Sequence, residues 1–292
     1  MNSTRKLWAG LVVLLIASFA VLLWVGSEIH RQAPPMPEQV VTTDGRVVYT
    51  RKDIETGRQV WQSMGGQQLG SIWGHGGYVA PDWGADWLHR EAEAILDLWA
   101  AREHGVDSYK ALDAPTQAAY ATRVQALIRP NTWDAATGTI TIDADRAAAM
   151  EKVAAHYVDL FGNDPATAEL REAYAMRNNT VPDAEHRRLM TGFFWWAAWS
   201  SITERPGQTI TYTANWPHDE LVGNTPPSNL LIWSVFSVLF LIAGIGLLGW
   251  HYATSHGEEM VPVLPKKDPL AAIKVTPSMR ATAKYFWLVL AM

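Results

Sequence analysis

A charge-free run, "LWAGLVVLLIASFAVLLWVGS", separates Lys6 from Glu28. It has the ~20 residues that a helix needs to cross the hydrocarbon core of a bilayer. Backbone in hydrocarbon must satisfy its own hydrogen bonds, so a run of this length is read as a helix. Its apolar stretch is too long for a cleaved signal peptide, and it ends "LLWVGSEIHRQ" without a small-x-small site, so it is expected to remain as an anchor. A second run, Leu230 to about Tyr252, "LLIWSVFSVLFLIAGIGLLGWHY", carries no acid and no base except its histidine. Trp233 and Trp250 stand near its ends, where indole rings suit the interface.

Basic residues set the orientation. Arg5 and Lys6 precede the first run, and Lys266, Lys267, Lys274, Arg280 and Lys284 follow the second. The positive-inside rule then puts both flanks in the cytoplasm and the roughly 200 residues between the runs outside. In a bacterium this is a multi-pass protein of the inner (cytoplasmic) membrane with its large domain in the periplasm. After Lys284 the chain turns apolar again, "YFWLVLAM", and reaches Met292. That segment is far short of the ~20 residues of a crossing and reads as the start of another span in a longer polytopic protein. The expected organisation is an anchor at 1–27, a periplasmic domain at 28–227, a second membrane helix at 228–253, a cytoplasmic loop at 254–284, and the start of the next span at 285–292.

Composition removes several classes of chemistry. The chain has no cysteine, which excludes disulfides, zinc-thiolate sites, iron-sulfur clusters and thioether-linked haem. A net charge of -5 with mixed signs leaves no basic surface for nucleic acid. No two of His75, His89, His104, His156, His186 and His218 stand at the i, i+3 or i, i+4 spacing that places two metal ligands on one helical face. No acid falls within either apolar run, so no intramembrane proton relay is signalled. Nucleophile elbow, phosphate loop and dinucleotide fingerprint are all missing; "GHGGY" is too short to count as one.

Between the runs the pattern is mostly helical with two minor ribbons. "VVTTDGRVVYT" predicts a hairpin at Asp44-Gly45, and "NTWDAATGTITID" another at Thr137-Gly138. Asp53 is expected to cap a helix that ends at Gly65-Gly66. An amphipathic helix from Asp86 to Glu103 puts Leu88, Ala92, Ile95, Leu96 and Trp99 on one side. Asp113, Asp143, Asp164 and Asp183 precede further helices, the first with Pro115 in its opening turn and the last ending "RRLMTGFFWWAAWSSI".

The segment Gly57 to Asp82, "GRQVWQSMGGQQLGSIWGHGGYVAPD", resembles the haem-attachment region of the cytochrome c subunit of nitric oxide reductases. "SIWGHGGY" matches the stretch after the CxxCH motif, whose five positions fall on Gly66-Gln67-Gln68-Leu69-Gly70. Both cysteines and the histidine are absent. "PDAEHRRLMTGFFWWAAWSSITERPG" is similar to the last helix of that subunit, and the axial methionine of the family would fall near Met176 or Arg177. "TYTANWPHDELVGNTPPSNLLIWS" looks like the family's join to the next membrane helix. A cytochrome c-like domain without its haem, between membrane spans, is the layout of the quinol-dependent nitric oxide reductases of the haem-copper oxidase superfamily.

The resemblance implies a mostly α membrane protein with a haem-less cytochrome c-like periplasmic domain. It implies an enzyme that oxidises quinol and reduces two nitric oxide molecules to nitrous oxide and water, denitrification chemistry in which this segment caps the catalytic core. The implied cofactors are low-spin and high-spin haem b, non-haem iron and calcium, with no c-type haem. Haem and iron ligands would lie beyond Met292, so no catalytic residue is assigned here. The backbone carbonyls of Gly76 and Tyr78 would be calcium ligands, a role that suits carbonyl oxygen. The alternative for Gly74, Gly76 and Gly77 is a tight turn and nothing more. A porphyrin-sized void would not stay empty at protein packing density, so Trp61, Trp73, Trp83, Trp87 and Trp99 are its expected fillers, each of which could equally be ordinary core. The implied partners are quinol, nitric oxide, the lipid bilayer and the rest of the polypeptide. A homodimer is left open, since Ala243, Gly246 and Gly249 would let another helix approach. Two other readings stand beside this one: a membrane-anchored periplasmic binding or assembly module without catalytic activity, and a solute-sensing receptor. "GEEMVPVLPKKDPLAAIKVTPSM" has prolines and no heptads, which disfavours a signalling coiled coil.

Overall fold

The computed structural model describes residues 2–256, 276–278, 280–282 and 285. Most of the expected cytoplasmic loop and of the expected third span, with Lys266, Lys267, Lys274 and Lys284, lies outside the described residues. Helix α1, Asn2–Arg31, contains the first apolar run, and a second long helix, Ser228–His256, contains the other. Both are long and apolar enough to cross a membrane and neither is buried in the protein. Two bare apolar cylinders of this length need lipid around them, so the chain is a membrane protein. Met1–Ser228 forms one compact unit and Asn229–Met292 a second.

In the first unit, β1 (Gln39–Thr42) and β2 (Val47–Thr50) form the hairpin expected at Asp44-Gly45, and β5 (Trp133–Asp134) and β6 (Thr139–Ile142) form the second. The two ribbons are not separate. β1 and β6 pair in parallel, Val40 beside Ile140, to give one sheet of order β2-β1-β6-β5. A lone hairpin is marginal in water, and joining the two buries Val40, Ile140 and Ile142 together. A further ribbon, β3 (Ser71–Ile72) with β4 (His75–Gly76), folds inside the glycine-rich loop.

The helices are α2 (Arg51–Ser63), α3 (Trp83–His104), α4 (Ala114–Ile128), α5 (Ala144–Leu160), the short α6 (Ala168–Ala173) and α7 (Ala184–Ile202), with the membrane helix Ser228–His256 as α8. Asp113, Asp143 and Asp183 cap their helices as expected, and Asp164 caps the short turn that leads into α6. Asp53 does not cap α2. The extended residue is Thr50, whose hydroxyl accepts from the Asp53 amide at 3.2 Å while the Asp53 carboxylate accepts from the Thr50 amide at 2.8 Å. Asp53 is therefore the third helical residue of a capping box. Likewise α3 begins at Trp83, earlier than Asp86, because Asp82 is its cap.

Helix α7 is the axis of the domain. Met190 to Ile202 is buried without interruption, the mark of a helix apolar all round and surrounded by others. It packs on α2, α3 and α5. The α2 contact is backbone on backbone: a Cβ at Gly57 would sit 2.1 Å from the Leu189 carbonyl oxygen. Between α3 and α5, Glu91 and Arg146 make a 2.6 Å ion pair with side chains only 2% and 5% exposed.

Candidate functional site

The glycine-rich loop leaves α2 through Gly65, in the left-handed region at φ 117°, and closes a single turn of 3-10 helix over Gly66–Gln68. Its strands are too short to hold themselves, and Asp82 ties them down. One carboxylate oxygen accepts from the Ser71 hydroxyl and the Gly74 amide, both at 2.8 Å, and the other caps α3 at the Ala85 amide, 3.0 Å. Sequence reasoning missed this anchor. Its signal was there in Asp82 standing three residues before the first free amide of a helix.

Gly70, the position matched to the haem-ligating histidine, decides what the loop can hold. Its φ is +84°, and a Cβ there would lie 2.5 Å from both the Pro81 carbonyl oxygen and the Trp83 indole nitrogen. That indole donates to the Leu69 carbonyl at 2.8 Å. The Trp83 ring is fully buried, stacks on Phe194 at 5.6 Å, and meets Phe161, Tyr157 and Tyr174 edge-on at 5.1, 6.1 and 6.1 Å. Met176 is buried two residues past Tyr174, whereas Arg177 is exposed. An indole thus stands against the position matched to the haem-ligating histidine, and Tyr174, two residues before Met176, meets the same ring. The residues do not fit a c-type haem: no cysteine can attach it, and an imidazole at position 70 would overlap Trp83.

The five tryptophans divide by role. Trp83 fills the space beside Gly70, and Trp61 lies against Gly66, whose Cβ would be 3.8 Å from its ring. Trp87 stacks on Tyr157 at 5.3 Å and donates to buried Glu91 at 2.7 Å. Trp99 donates to Asp145 at 2.7 Å and lies under the Arg123 guanidinium at 3.9 Å, so its partners belong to the helical core. Trp73 is only half-buried, packed on Trp196 and donating to the Ala197 carbonyl at 3.0 Å. Tyr157, Phe161, Tyr174 and Phe194, which the sequence did not single out, complete the packing around Trp83. Burial pushes the Tyr157 hydroxyl well above its ordinary pKa, so it stays protonated and donates to Asp86 at 2.6 Å.

Gly76 is held against the turn: its φ is +148°, and a Cβ would lie 2.3 Å from the Gly70 carbonyl oxygen. The Gly77 amide donates to the Gln67 carbonyl at 2.5 Å. The Tyr78 side chain points to solvent, 88% exposed, next to Val79 at 58%. Among the described residues no group of three or more histidines and acids could hold a metal ion, and Asp82, the nearest carboxylate in sequence, already accepts three hydrogen bonds. The loop fits calcium only as a donor of neutral carbonyls, so the anionic part of any oxygen shell must come from elsewhere. The histidines stay scattered. His89 bonds Asp219 at 3.0 Å, which raises its pKa, and His218 bonds the Asn224 carbonyl at 2.9 Å.

No curated protein matches the chain. The family model for the cytochrome c-like domain of the nitric oxide reductase NorB matches residues 37–218, which takes in the sheet, helices α2 to α7 and the closed loop. More than half of the chain is covered, and the chain belongs to the NorB family of nitric oxide reductases, as part of a membrane-bound oxidoreductase that acts on nitric oxide.

Proposed function

We propose that this chain is the anchored, extracytoplasmic face of a nitric oxide reductase fed directly by quinol. The observation that carries this is the Trp83 indole against Gly70 in a chain without cysteine. A domain that cannot hold a c-type haem offers no relay of its own from a soluble donor, which favours entry of electrons from the membrane, where quinol is the two-electron carrier. The domain is then structural, and it covers a core carried by further polypeptide. The exposed Tyr78 and Val79 edge of the loop is the surface we assign to that contact.

The catalytic cofactors, two haems b and a non-haem iron, belong in this reading to later membrane helices. The chemistry supplied there is the two-electron, two-proton coupling of two nitric oxide molecules to nitrous oxide and water. Gly76 and Tyr78 would offer carbonyl oxygens to a calcium ion whose charge is balanced by haem propionates of the core. Arg5 and Lys6 before α1 favour a cytoplasmic N-terminus, hence a periplasmic domain over 28–227 at the inner membrane.

The test is electron-donor preference. Nitric oxide consumption by the full-length polypeptide in membranes is measured with a reduced quinol analogue and with a reduced soluble cytochrome c. Quinol should sustain turnover and the cytochrome should not. Turnover with the cytochrome alone overturns the proposal.

A further inference from the structure

Where α1 leaves the apolar stretch it faces the domain across a groove of about 550 Å³, lined among others by Trp24, Ile29, Gln32, Trp73, Arg205 and Tyr212. The depth of this groove in the membrane follows from α1 itself. Trp8 and Trp24 are 64% and 66% exposed, and at the helical rise they stand about 24 Å apart along the axis. Indole rings so spaced settle at the two interfaces of a bilayer. Trp24 then marks the outer interface, and the turn from Glu28 to Gln32 lies in the headgroup layer.

The charge in the groove is unbalanced. Glu28 is already paired with Arg31 at 2.6 Å and accepts from Gln32 at 3.1 Å. Arg205 donates to the Tyr212 carbonyl at 2.8 Å and to the Gln32 side-chain oxygen, both neutral. Its Nε is sealed from solvent without a partner, and among the described residues no carboxylate pairs with it. A part-buried guanidinium bonded only to neutral oxygens is costly unless an anion balances its charge. Guanidinium geometry suits the oxygens of a phosphate. A second lobe of about 380 Å³ shares Gln32, Arg205 and Tyr212 and adds Arg31 and Trp133, so the cation stands at the junction of two spaces. The rest of the first lobe, Trp24, Val25, Ile29 and Trp73, is apolar or aromatic and offers a free phosphate nothing. It suits a molecule with a charged head and a hydrocarbon body.

We propose that this groove binds one anionic phospholipid, its headgroup phosphate on Arg205 and its acyl chains along the exposed face of α1. The site would fix the angle at which the anchor enters the domain, and it owes nothing to the electron donor.

The full chain is placed in nanodiscs of phosphatidylcholine doped with phosphatidylglycerol, and the lipids retained on release are counted by native mass spectrometry. One phosphatidylglycerol per chain should be retained about tenfold over its share of the bilayer, a preference of ~1.4 kcal/mol. Arg205→Gln should abolish the preference, and Arg205→Lys should keep most of it. Ile29→Asp, at a site 66% exposed, adds an opposing charge without touching the domain's hydrogen bonds and should abolish it too, which guards against misfolding of Arg205→Gln. Equal retention of both lipids by the unaltered chain, or full preference in Ile29→Asp, overturns the proposal. Displacement of the lipid by inorganic phosphate would reduce the groove to a simple anion site, and displacement by a quinone analogue would make it a quinone site; either result refutes it.

Discussion

Gly70→Ala is the smallest change that tests whether an indole has closed the haem position. The added methyl meets three penalties. A φ of +84° costs an L-residue about 1–2 kcal/mol. The Cβ would sit 2.5 Å from the Trp83 nitrogen and 2.8 Å from its ring carbon Cε2, and overpacking of that kind costs about 1–3 kcal/mol. Moving the ring breaks its 2.8 Å bond to the Leu69 carbonyl, worth about 1 kcal/mol. The combined loss should be about 3–6 kcal/mol, a large share of the stability of any domain. Trp83→Ala should itself cost about 3–5 kcal/mol, the range for emptying a buried aromatic site. The decisive quantity is the double variant. With the ring gone, the new methyl loses one of its two obstacles at 2.5 Å while the Pro81 carbonyl oxygen remains, so the two changes should be less than additive by at least ~1 kcal/mol. Urea unfolding of the full chain in detergent, followed by far-ultraviolet circular dichroism, reads all four corners of the cycle. A Gly70→Ala cost under ~1 kcal/mol, or additivity within ~0.5 kcal/mol, would refute the claim that Trp83 holds this space.

Three further outcomes follow from the packing. Arg146→Met strands the Glu91 carboxylate, 2% exposed, and should cost about 3–5 kcal/mol, whereas the double variant Glu91→Leu, Arg146→Met should recover most of that loss in the same unfolding assay. Gly57→Ala places a methyl 2.1 Å from the Leu189 carbonyl oxygen and should cost about 2–3 kcal/mol despite the better helix propensity of alanine; a neutral result would mean that α2 and α7 do not meet on backbone. The hydrogen bond to Asp219 raises the His89 pKa, so protonated His89 stabilises the fold. That contribution is complete below the ordinary histidine value of ~6.5 and is lost as pH rises through the folded one. Half-exposed as His89 is, the step should be under ~1 kcal/mol and lie above the ordinary histidine value of ~6.5, and a stability curve for His89→Gln should lack it.

Much of the architecture was legible because its signals are local. A membrane span is declared by its own ~20 residues. A helix start is declared by a capping side chain and the amides two or three residues on, which is why Asp113, Asp143 and Asp183 were read correctly. Thr50 and Asp53 show the limit of that rule. Both can cap, and only the extended backbone at Thr50 decides between them. The absence of cysteine is equally local and removes covalent haem without any structure.

Contacts between residues distant in the chain are set only once it has folded. Val40 and Ile140 carry no mark that would pair their strands in parallel. Five tryptophans were equivalent candidates for one space, and only the meeting of Gly70 with Trp83 separates the filler from ordinary core. Arg205 reads as one more surface cation until the chain brings it to the foot of α1, where among the described residues no carboxylate pairs with it. Propensity, capping and hydropathy act over a turn or a span, and the chain states them outright. Packing and charge balance depend on which surfaces meet, and that is set by the fold as a whole.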